Sequence, residues 1–563
     1  MSGPFELRTQ MIGSLPVINH FLSRVGLDDT LRAHLADDDA RLVLAPATAL
    51  GVVVRNLIVS HQPVYALGEW ARPFEPGLLG LGPGEAEALN DDRVGRCLAR
   101  LFDADRASLL TEVVLRAVRT FGIDCAQLHN DSTSVSFTGA YRGANGRPRG
   151  GKPTAAICHG YNKDHRPDLR QLVWILTVSA DGAVPLTHRV VSGNTTDDVT
   201  HVRTWDELVA LTGRADFLYV ADSKLATRDA MDHINAHHGR FVTVMPRTRR
   251  EDRWFRDWVT RNQPGWTEAC RRAPKRHGEP EEVLSTFEPT PGSVEGYRII
   301  WVHSSNNKVN DATTRARRIE RSISGLEDLA RRLAGPKCRT KTRVAAETEA
   351  LSVLDDHDTT RYFEILIVEE LDKTYTATHR GTPGPDTRFR QHTRPRFRLN
   401  WKLKPHVIRD DAASDGCWPL ITNDTELSPA EVLAAYKYQP NLERRHAQLK
   451  GPQAVAPVLL RDPARIEALL CCHFLALLTE ALIERQIRAA MAQAGTKTIP
   501  LYPEERDCTA PSATRVLEIF AGVQRHQIIR AGKIIQTFDP TLNPLQHQVL
   551  KLLGVPSRSY RST

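Results

Sequence analysis

Two aspartates in this sequence occupy positions that suit phosphodiester chemistry. Asp131 follows an apolar-rich run that ends in Leu-His-Asn, and Asp222 closes the run Leu-Tyr-Val-Ala-Asp. We expect both at the ends of strands, the edge at which open α/β sheets bind ligands. An aspartate that only caps the next helix or turn would stand in the same place, so this alternative stays open. Hydrolysis by two metal ions needs more oxygen ligands, and the pair therefore requires a third acid.

Glu443 is the candidate for the third acid. It lies in the segment YKYQPNLERRHAQLK, in which Tyr436, Gln439, Glu443 and Lys450 are separated by two, three and six residues. A break at Gln439-Pro440 predicts a helix from Pro440 through Lys450. On that helix Glu443 and Lys450 share one face, about two turns apart. A carboxylate that holds metal beside a cation that holds phosphate suits strand cleavage, although the charges alone also fit a solvated helix.

A nearby acid, Glu431, has a structural role. Ser428-Pro429-Ala430-Glu431 predicts a helix start in which Ser428 caps, Pro429 takes the first position and Glu431 closes a capping box. Glu431 is therefore not a catalytic candidate.

Short apolar and β-branched runs predict the core that positions these acids. The predicted order is a strand, a hairpin of two strands, a helix, a strand, a helix and a strand. This order is that of an RNase H-like mixed sheet flanked by helices. The strands are expected over 123–131, 171–179, 184–192, 217–223 and 240–246, and the helices over 197–213 and 224–239.

Patterning along the chain predicts five regions. We expect an α-helical N-terminal region that reads DNA ends or serves as a cap, an RNase H-like first part, a large β-rich basic insertion, helices that complete the core and carry Glu443, and a C-terminal helical region. Their bounds are 1–120, 121–249, 250–425, 426–490 and 491–563. Within the insertion, 310–334 is predicted to be helical, and 397–403 a strand with one apolar and one basic face.

Composition narrows the class of protein. The net charge of +8 and the pI near 9.0 suit a polyanionic partner, though modestly for 563 residues. None of the nine cysteines forms a C-x-x-C pair, and no P-loop or G-x-S-x-G motif occurs. The apolar run 468–483 predicts a buried helix, and without an evident signal peptide or membrane span we expect a cytoplasmic protein.

The spacing of Tyr436, Gln439, Glu443 and Lys450 resembles the Y-R-E-K motif of the insertion-sequence group of DDE transposases, with Gln439 in place of the usual arginine. Three more segments resemble conserved parts of that family, and the resemblance covers roughly 120–480. These segments are 162–172, 193–198 and 415–424.

The resemblance implies that Asp131, Asp222 and Glu443 hold two Mg²⁺ or Mn²⁺ ions, that DNA is cut at the ends of an insertion sequence, and that the freed 3′-OH attacks target DNA. It implies a homodimer on double-stranded DNA, binding terminal inverted repeats and target. Arg444 or Arg445 is expected to supply the charge that Gln439 lacks. The residues predicted to contact DNA are Tyr436, Gln439, Arg444, Arg445, Lys450, Lys163 and Arg166. A nuclease without strand transfer and a repurposed DNA-binding protein remain the alternatives.

Overall fold

The computed structural model describes residues 5–35, 43–274, 278, 280–290, 292–335 and 338–562. The chain forms two compact units. The first, here the terminal unit, combines Met1–Thr243 with Ala434–Thr563, and the second, the inserted unit, is Val244–Leu433. Asp131, Asp222 and Glu443 all belong to the terminal unit.

The N-terminal part of the terminal unit is mostly helical, as predicted. A separate helix begins at Arg106, because Asp105 caps it by accepting a hydrogen bond from the Ser108 amide at 3.1 Å. The elements are β1 (Phe5–Met11), α1 (Leu15–Arg24), α2 (Leu27–His34), α3 (Pro46–Val59), α4 (Leu67–Ala71), α5 (Asp91–Asp103) and α6 (Arg106–Phe121).

A mixed sheet follows, and it confirms the predicted α/β fold class. Its strand order is β4-β3-β2-β5-β6, with antiparallel pairing among the first three and parallel pairing of β2 with β5 and of β5 with β6. This is the RNase H-like order expected from the sequence. The elements are β2 (Gln127–Phe137), β3 (Arg170–Ser179), β4 (Pro185–Ser192), α7 (His201–Thr212), β5 (Leu218–Val220), α8 (Arg228–Ala236) and β6 (Arg240–Val244).

The inserted unit holds an antiparallel sheet and a long hairpin, but also more helix than its predicted β-rich character suggested. The sheet order is β12-β9-β8-β7, and the hairpin pairs β10 with β11. The elements are α9 (Arg250–Val259), β7 (Thr267–Arg272), β8 (Glu282–Phe287), β9 (Arg298–Ser304), α10 (Ser305–Ala334), α11 (Arg343–Asp355), β10 (Phe363–Ala377), β11 (Phe389–Leu403), α12 (Pro405–Ala412) and β12 (Cys417–Thr422).

Both local predictions for the inserted unit are confirmed. The basic helical stretch lies within α10, and the alternating strand lies within β11. Phe397 and Leu399 are buried in a core that α10 and α11 share with the base of the hairpin, whereas Arg398 and Lys402, on the other face, are exposed.

Three helices return the chain to the terminal unit and complete it: α13 (Pro429–Tyr436), α14 (Gln439–Lys450) and α15 (Pro463–Gln493). The predicted capping box of α13 is present, since Glu431 accepts a hydrogen bond from the Ser428 amide at 2.8 Å and the Glu431 amide donates to Ser428 Oγ at 3.3 Å. By length and composition α15 could cross a membrane. Its most apolar stretch is, however, 94% buried inside the protein, as predicted for a core helix.

The C-terminal region is not wholly helical, which corrects the prediction for 491–563. Strands β13 (Gln524–Arg530) and β14 (Lys533–Phe538) lie between helices α16 (Ala513–Glu518) and α17 (Pro544–Leu553). They join β1 in a three-stranded sheet with the order β1-β13-β14. The partner of β13 comes from the opposite end of the chain, and local patterning does not reveal such a pairing.

Candidate active site

Asp131 on β2 and Asp222, two residues past the end of the neighbouring parallel strand β5, follow residues that pair with each other. His129 of β2 is opposite Val220 of β5, and each aspartate follows two residues later. Adjacent strands are about 4.8 Å apart, so this register brings the two carboxylates close together. The pKa of Asp222 is accordingly raised, first by burial and then by the negative charge of Asp131.

Asp131 is not at the end of its strand, which corrects one prediction. β2 continues to Phe137, because its antiparallel pairing with β3 extends well past its short parallel pairing with β5. Both aspartates also accept a hydrogen bond from a nearby backbone amide, and for Asp222 this is the contact of a helix-capping residue. Asp131 Oδ1 accepts from the Ser132 amide at 2.7 Å, and Asp222 Oδ1 accepts from the Lys224 amide at 3.0 Å.

Tyr436 connects the third acid to this pair. Burial first, and then the negative charges of Asp222, Glu443 and Asp131, raise the pKa of the Tyr436 phenol to about 12. The phenol therefore lies within electrostatic reach of all three acids. Glu443 itself is exposed on α14, so its carboxylate faces solvent.

Gln439 fixes the first turn of α14 against β2. Its side-chain carbonyl oxygen lies 2.9 Å from His129 Nδ1, and its amide nitrogen donates to the Asn130 carbonyl at 3.1 Å. His129 and Asn130 directly precede Asp131, and Glu443 follows Gln439 by about one helical turn. This clamp therefore sets the position of the Glu443 turn relative to Asp131.

A fourth acid, Asp197, was not predicted from the sequence. Lys163 Nζ lies 3.2 Å from Asp131 Oδ1 and 3.0 Å from Asp197 Oδ2. Burial lowers the pKa of the Lys163 ammonium, but the charges of Asp131 and Asp197 outweigh that effect and raise it overall. The sequence offers only a weak signal for Asp197, since acids are common at the start of a helix such as the one that follows it.

Two buried histidines also border the acids. His446 Nδ1 lies 3.7 Å from Asp131 Oδ2, and burial lowers the pKa of His446 to about 4. Burial likewise lowers the pKa of His201 to about 4, while the nearby charges of Asp197 and Asp131 act in the opposite direction. Both rings are therefore neutral at pH 7.

The residues predicted to contact DNA fall into three groups, namely residues at the surface, residues beside the acids, and two buried residues. Arg444 is exposed, Arg166 pairs with Asp168 at the surface at 2.7 Å, and Lys450 Nζ lies 2.5 Å from Asp164 Oδ1. Tyr436 and Lys163 lie beside the acids.

Gln439 and Arg445 are buried, at 7% and 4% exposure. Arg445 pairs with Glu484 at 2.9 Å and donates to the carbonyls of Ala183 and Gly182. In this structure neither Gln439 nor Arg445 presents a free donor to a phosphate, because both side chains are buried and their donors are bonded within the protein.

The donor set suits a hard divalent cation, although it is not assembled for one here. Among the residues that the structure describes, no group of three or more His, Cys, Asp or Glu side chains is close enough to hold a metal ion. Carboxylate oxygens are the ligands that Mg²⁺ and Mn²⁺ prefer. The Lys163 ammonium already lies between Asp131 and Asp197 as a stand-in cation, so the chemistry of these residues fits such an ion.

Comparison with known proteins gives limited information. Residues 7–115 match a protein family described only as a domain of unknown function, DUF4277. No curated protein matches the chain. Among solved structures, the piggyBac transposase synaptic complex with hairpin DNA is similar with a TM-score of 0.24 and 8% identity, covering 84% of this chain and 83% of that chain. The fold assignment rests on the strand order of the mixed sheet and not on this likeness.

Proposed function

We propose that this chain is a DNA transposase that cuts phosphodiester bonds with Asp131, Asp222 and Glu443 and transfers the freed 3′ end to target DNA. The observation that carries the proposal is that the charges of all three acids reach the Tyr436 phenol, next to a sheet with the RNase H-like strand order. The spacing of Tyr436, Gln439, Glu443 and Lys450 supports it independently, because the sequence alone defines that spacing.

Each residue of the site has a role in this proposal. Asp131 and Asp222 hold divalent metal from adjacent strands, and Glu443 approaches from α14 at the solvent side, where DNA must enter. Bound Mg²⁺ or Mn²⁺ would supply the activation of water and the neutralisation of the leaving oxygen. Tyr436 remains a protonated phenol at neutral pH, because its pKa is about 12, and can donate a hydrogen bond to a phosphate oxygen.

We assign DNA contacts to side chains that reach solvent near the acids, namely Arg444, Lys450 and Arg166. We do not assign them to Gln439 and Arg445, whose hydrogen bonds hold α14 in place. In line with the family resemblance, we propose a cytoplasmic protein that acts as a homodimer on two DNA ends.

The test is an end-cleavage assay with the full-length protein. Inverted repeats flanking the coding sequence provide a labelled duplex, which is incubated with Mg²⁺ and a target plasmid. We expect 3′-OH ends and joined products. Asp222→Asn and Glu443→Gln should each lower the cleavage rate by about 10³ or more, since each removes metal-held charge worth several kcal/mol in the transition state.

Glu431→Gln is the matched control, because it makes the same chemical change in the capping box of α13 and should leave cleavage intact. Full cleavage by Asp222→Asn or Glu443→Gln would refute the site assignment. Cleavage without joined products would indicate a nuclease, and duplex binding without cleavage a repurposed DNA-binding protein.

A further inference from the structure

The Lys163 ammonium has its contacts within the protein, unlike the ammonium of an exposed lysine that only contacts DNA. Besides Asp131 Oδ1 and Asp197 Oδ2, its ammonium donates to the Ser132 carbonyl at 2.8 Å. An ammonium has three N–H donors, and here each has an oxygen of the chain within reach. The side chain is only 30% exposed, so solvent competes weakly for these contacts.

Asp197 is held in place by neighbouring groups. Ser132 Oγ donates to Asp197 Oδ1 at 2.6 Å, and Thr200 Oγ1 donates to the Asp197 carbonyl at 2.7 Å. The Asp197 side chain is 16% exposed. Ser132 thus links the two acids, because its carbonyl binds the ammonium that both contact while its hydroxyl orients one of them.

The histidines around these acids retain unused binding capacity. His446 and His201 are 7% and 2% exposed, and Nε2 of each lacks a hydrogen-bond partner among the residues that the structure describes. The Nδ1 atom of His446 faces Asp131 Oδ2 at 3.7 Å. Burial keeps both rings neutral at pH 7, so neither ring neutralises the acids, and the charge balance of the site depends on Lys163 and on any bound cation.

The balance of charge among the acids and Lys163 favours the binding of a divalent cation at this site. Asp131 and Asp197 together carry two negative charges, and the Lys163 ammonium neutralises only one. Asp222 adds a third acid on the neighbouring strand, where Asp131 already disfavours its ionised form. A doubly charged cation therefore relieves repulsion that one ammonium leaves in place.

We propose that Lys163 is the internal counter-ion of this site. Its ammonium occupies the Asp131–Asp197 pair while no divalent cation is bound, and it leaves Asp131 when one binds. Lysine and metal are then alternative partners of the same carboxylate, and Asp197 is the anchor that keeps the displaced ammonium nearby. This inference rests on the proposed function only in taking Asp131 as a metal ligand.

The experiment measures Mn²⁺ binding to the full-length protein without DNA, by electron paramagnetic resonance of the free ion. Lys163→Met removes the competing charge and should tighten Mn²⁺ binding by about tenfold, the effect of losing one charge-assisted contact. If the methionine variant folds poorly, Lys163→Gln replaces it. This variant also removes the charge but keeps the capacity to donate hydrogen bonds, and it should tighten Mn²⁺ binding in the same way. Lys551→Met is the matched control, since that lysine is exposed on α17 and has no role in the site, and its Mn²⁺ affinity should not change.

Thermal unfolding gives a second readout. In EDTA, Lys163→Met should unfold at a lower temperature than the wild-type protein, because Asp131 and Asp197 then repel each other without a cation, and saturating Mn²⁺ should restore it. In the double variant Lys163→Met, Asp197→Asn, the unfolding temperature in EDTA should return toward the wild-type value, because Asp131 then has no neighbouring acid at position 197 to repel it.

Unchanged or weaker Mn²⁺ binding by both Lys163 variants would overturn the counter-ion role while leaving Asp131 as a ligand. Absence of Mn²⁺ binding by the wild-type protein would instead count against the proposed function itself.

Discussion

The supports of α14 in the terminal unit and the hairpin of the inserted unit hold their charged residues in opposite ways. In the terminal unit, Arg445 and Glu484 form an ion pair in which both side chains are less than a tenth exposed, and Glu480 is fully enclosed near them. In the inserted unit, the hairpin displays its cations to solvent. Arg390, Arg394, Arg398 and Lys402 all lie on one face of β11, because strand residues two apart share a face.

This difference corresponds to two different tasks. A carboxylate site needs its supports fixed, and the buried pair and the Gln439 clamp hold α14 in one position. A surface that contacts a polyanion needs accessible cations, and the hairpin provides them. Two of its arginines also pair with acids, Arg396 with Asp372 at 2.9 Å and Arg398 with Glu370 at 3.1 Å. We therefore expect substitutions in the terminal unit to change stability, and those on the hairpin to change binding.

The largest expected effect on stability comes from Arg445→Met. This change removes the closer of the two arginines that pair with the buried Glu484 and leaves only Arg488 at 3.5 Å, which should lower the free energy of unfolding by about 3 kcal/mol. The hairpin control Arg398→Met breaks a pair whose arginine is 66% exposed and should cost at most about 1 kcal/mol. Urea unfolding of both variants measures the contrast, and equal losses would contradict it.

The next effect depends on pH. Burial, and secondarily the nearby Glu484, raises the pKa of Glu480 to about 8, above its usual 4.5, against the opposing effects of Gln453 and Arg445. The folded protein therefore retains a proton that the unfolded chain loses, and this contribution to stability is full below pH 4.5 and is lost as the pH rises to 8.

Glu480→Gln lacks that titration. Its stability relative to the wild-type protein should increase by up to a few kcal/mol between pH 5 and pH 8, measured by urea unfolding at each pH. Other titrating groups are common to both proteins and cancel in the difference. A difference that stays constant with pH would show that Glu480 is already ionised in the folded state.

A smaller effect is expected at the clamp. Gln439→Leu should lower the free energy of unfolding by about 1–3 kcal/mol, because the buried Asn130 carbonyl and His129 Nδ1 lose their partner. On the hairpin, Gln391 is exposed, and Gln391→Leu should change stability by no more than about 0.5 kcal/mol. A neutral result for Gln439→Leu would mean that the clamp does not hold α14.

The smallest effect on stability is expected at the exposed cations of the hairpin, where the change should appear in binding. Arg390→Ala combined with Arg394→Ala should leave the unfolding transition in place. If this face contacts duplex DNA, the slope of log affinity against log salt should fall by about two, measured by fluorescence anisotropy. Arg203→Ala, an exposed arginine on α7, is the control. An unchanged slope would separate the hairpin from DNA binding.

Local chemistry determined the elements of this protein well. Strand runs, helical periodicity and the Ser428–Glu431 capping box depend on residues close in the chain, so the order of strands and helices along the chain and the bounds of α14 followed from the sequence. The spacing of Glu443 and Lys450 is likewise a local feature, because helical periodicity alone places the two residues on one face. Together with the resemblance to the Y-R-E-K motif, these local features single out the three acids as candidates.

Only the tertiary structure decided how the acids are held. The register of β2 against β5 sets Asp131 beside Asp222, and the antiparallel partner β3 carries the strand past Asp131. Lys163 meets Asp197 through packing between segments distant in sequence, and burial turned Gln439 and Arg445 from predicted DNA contacts into internal supports. Pairing and burial depend on which surfaces meet, and the periodicity of a single segment carries no information about its partner.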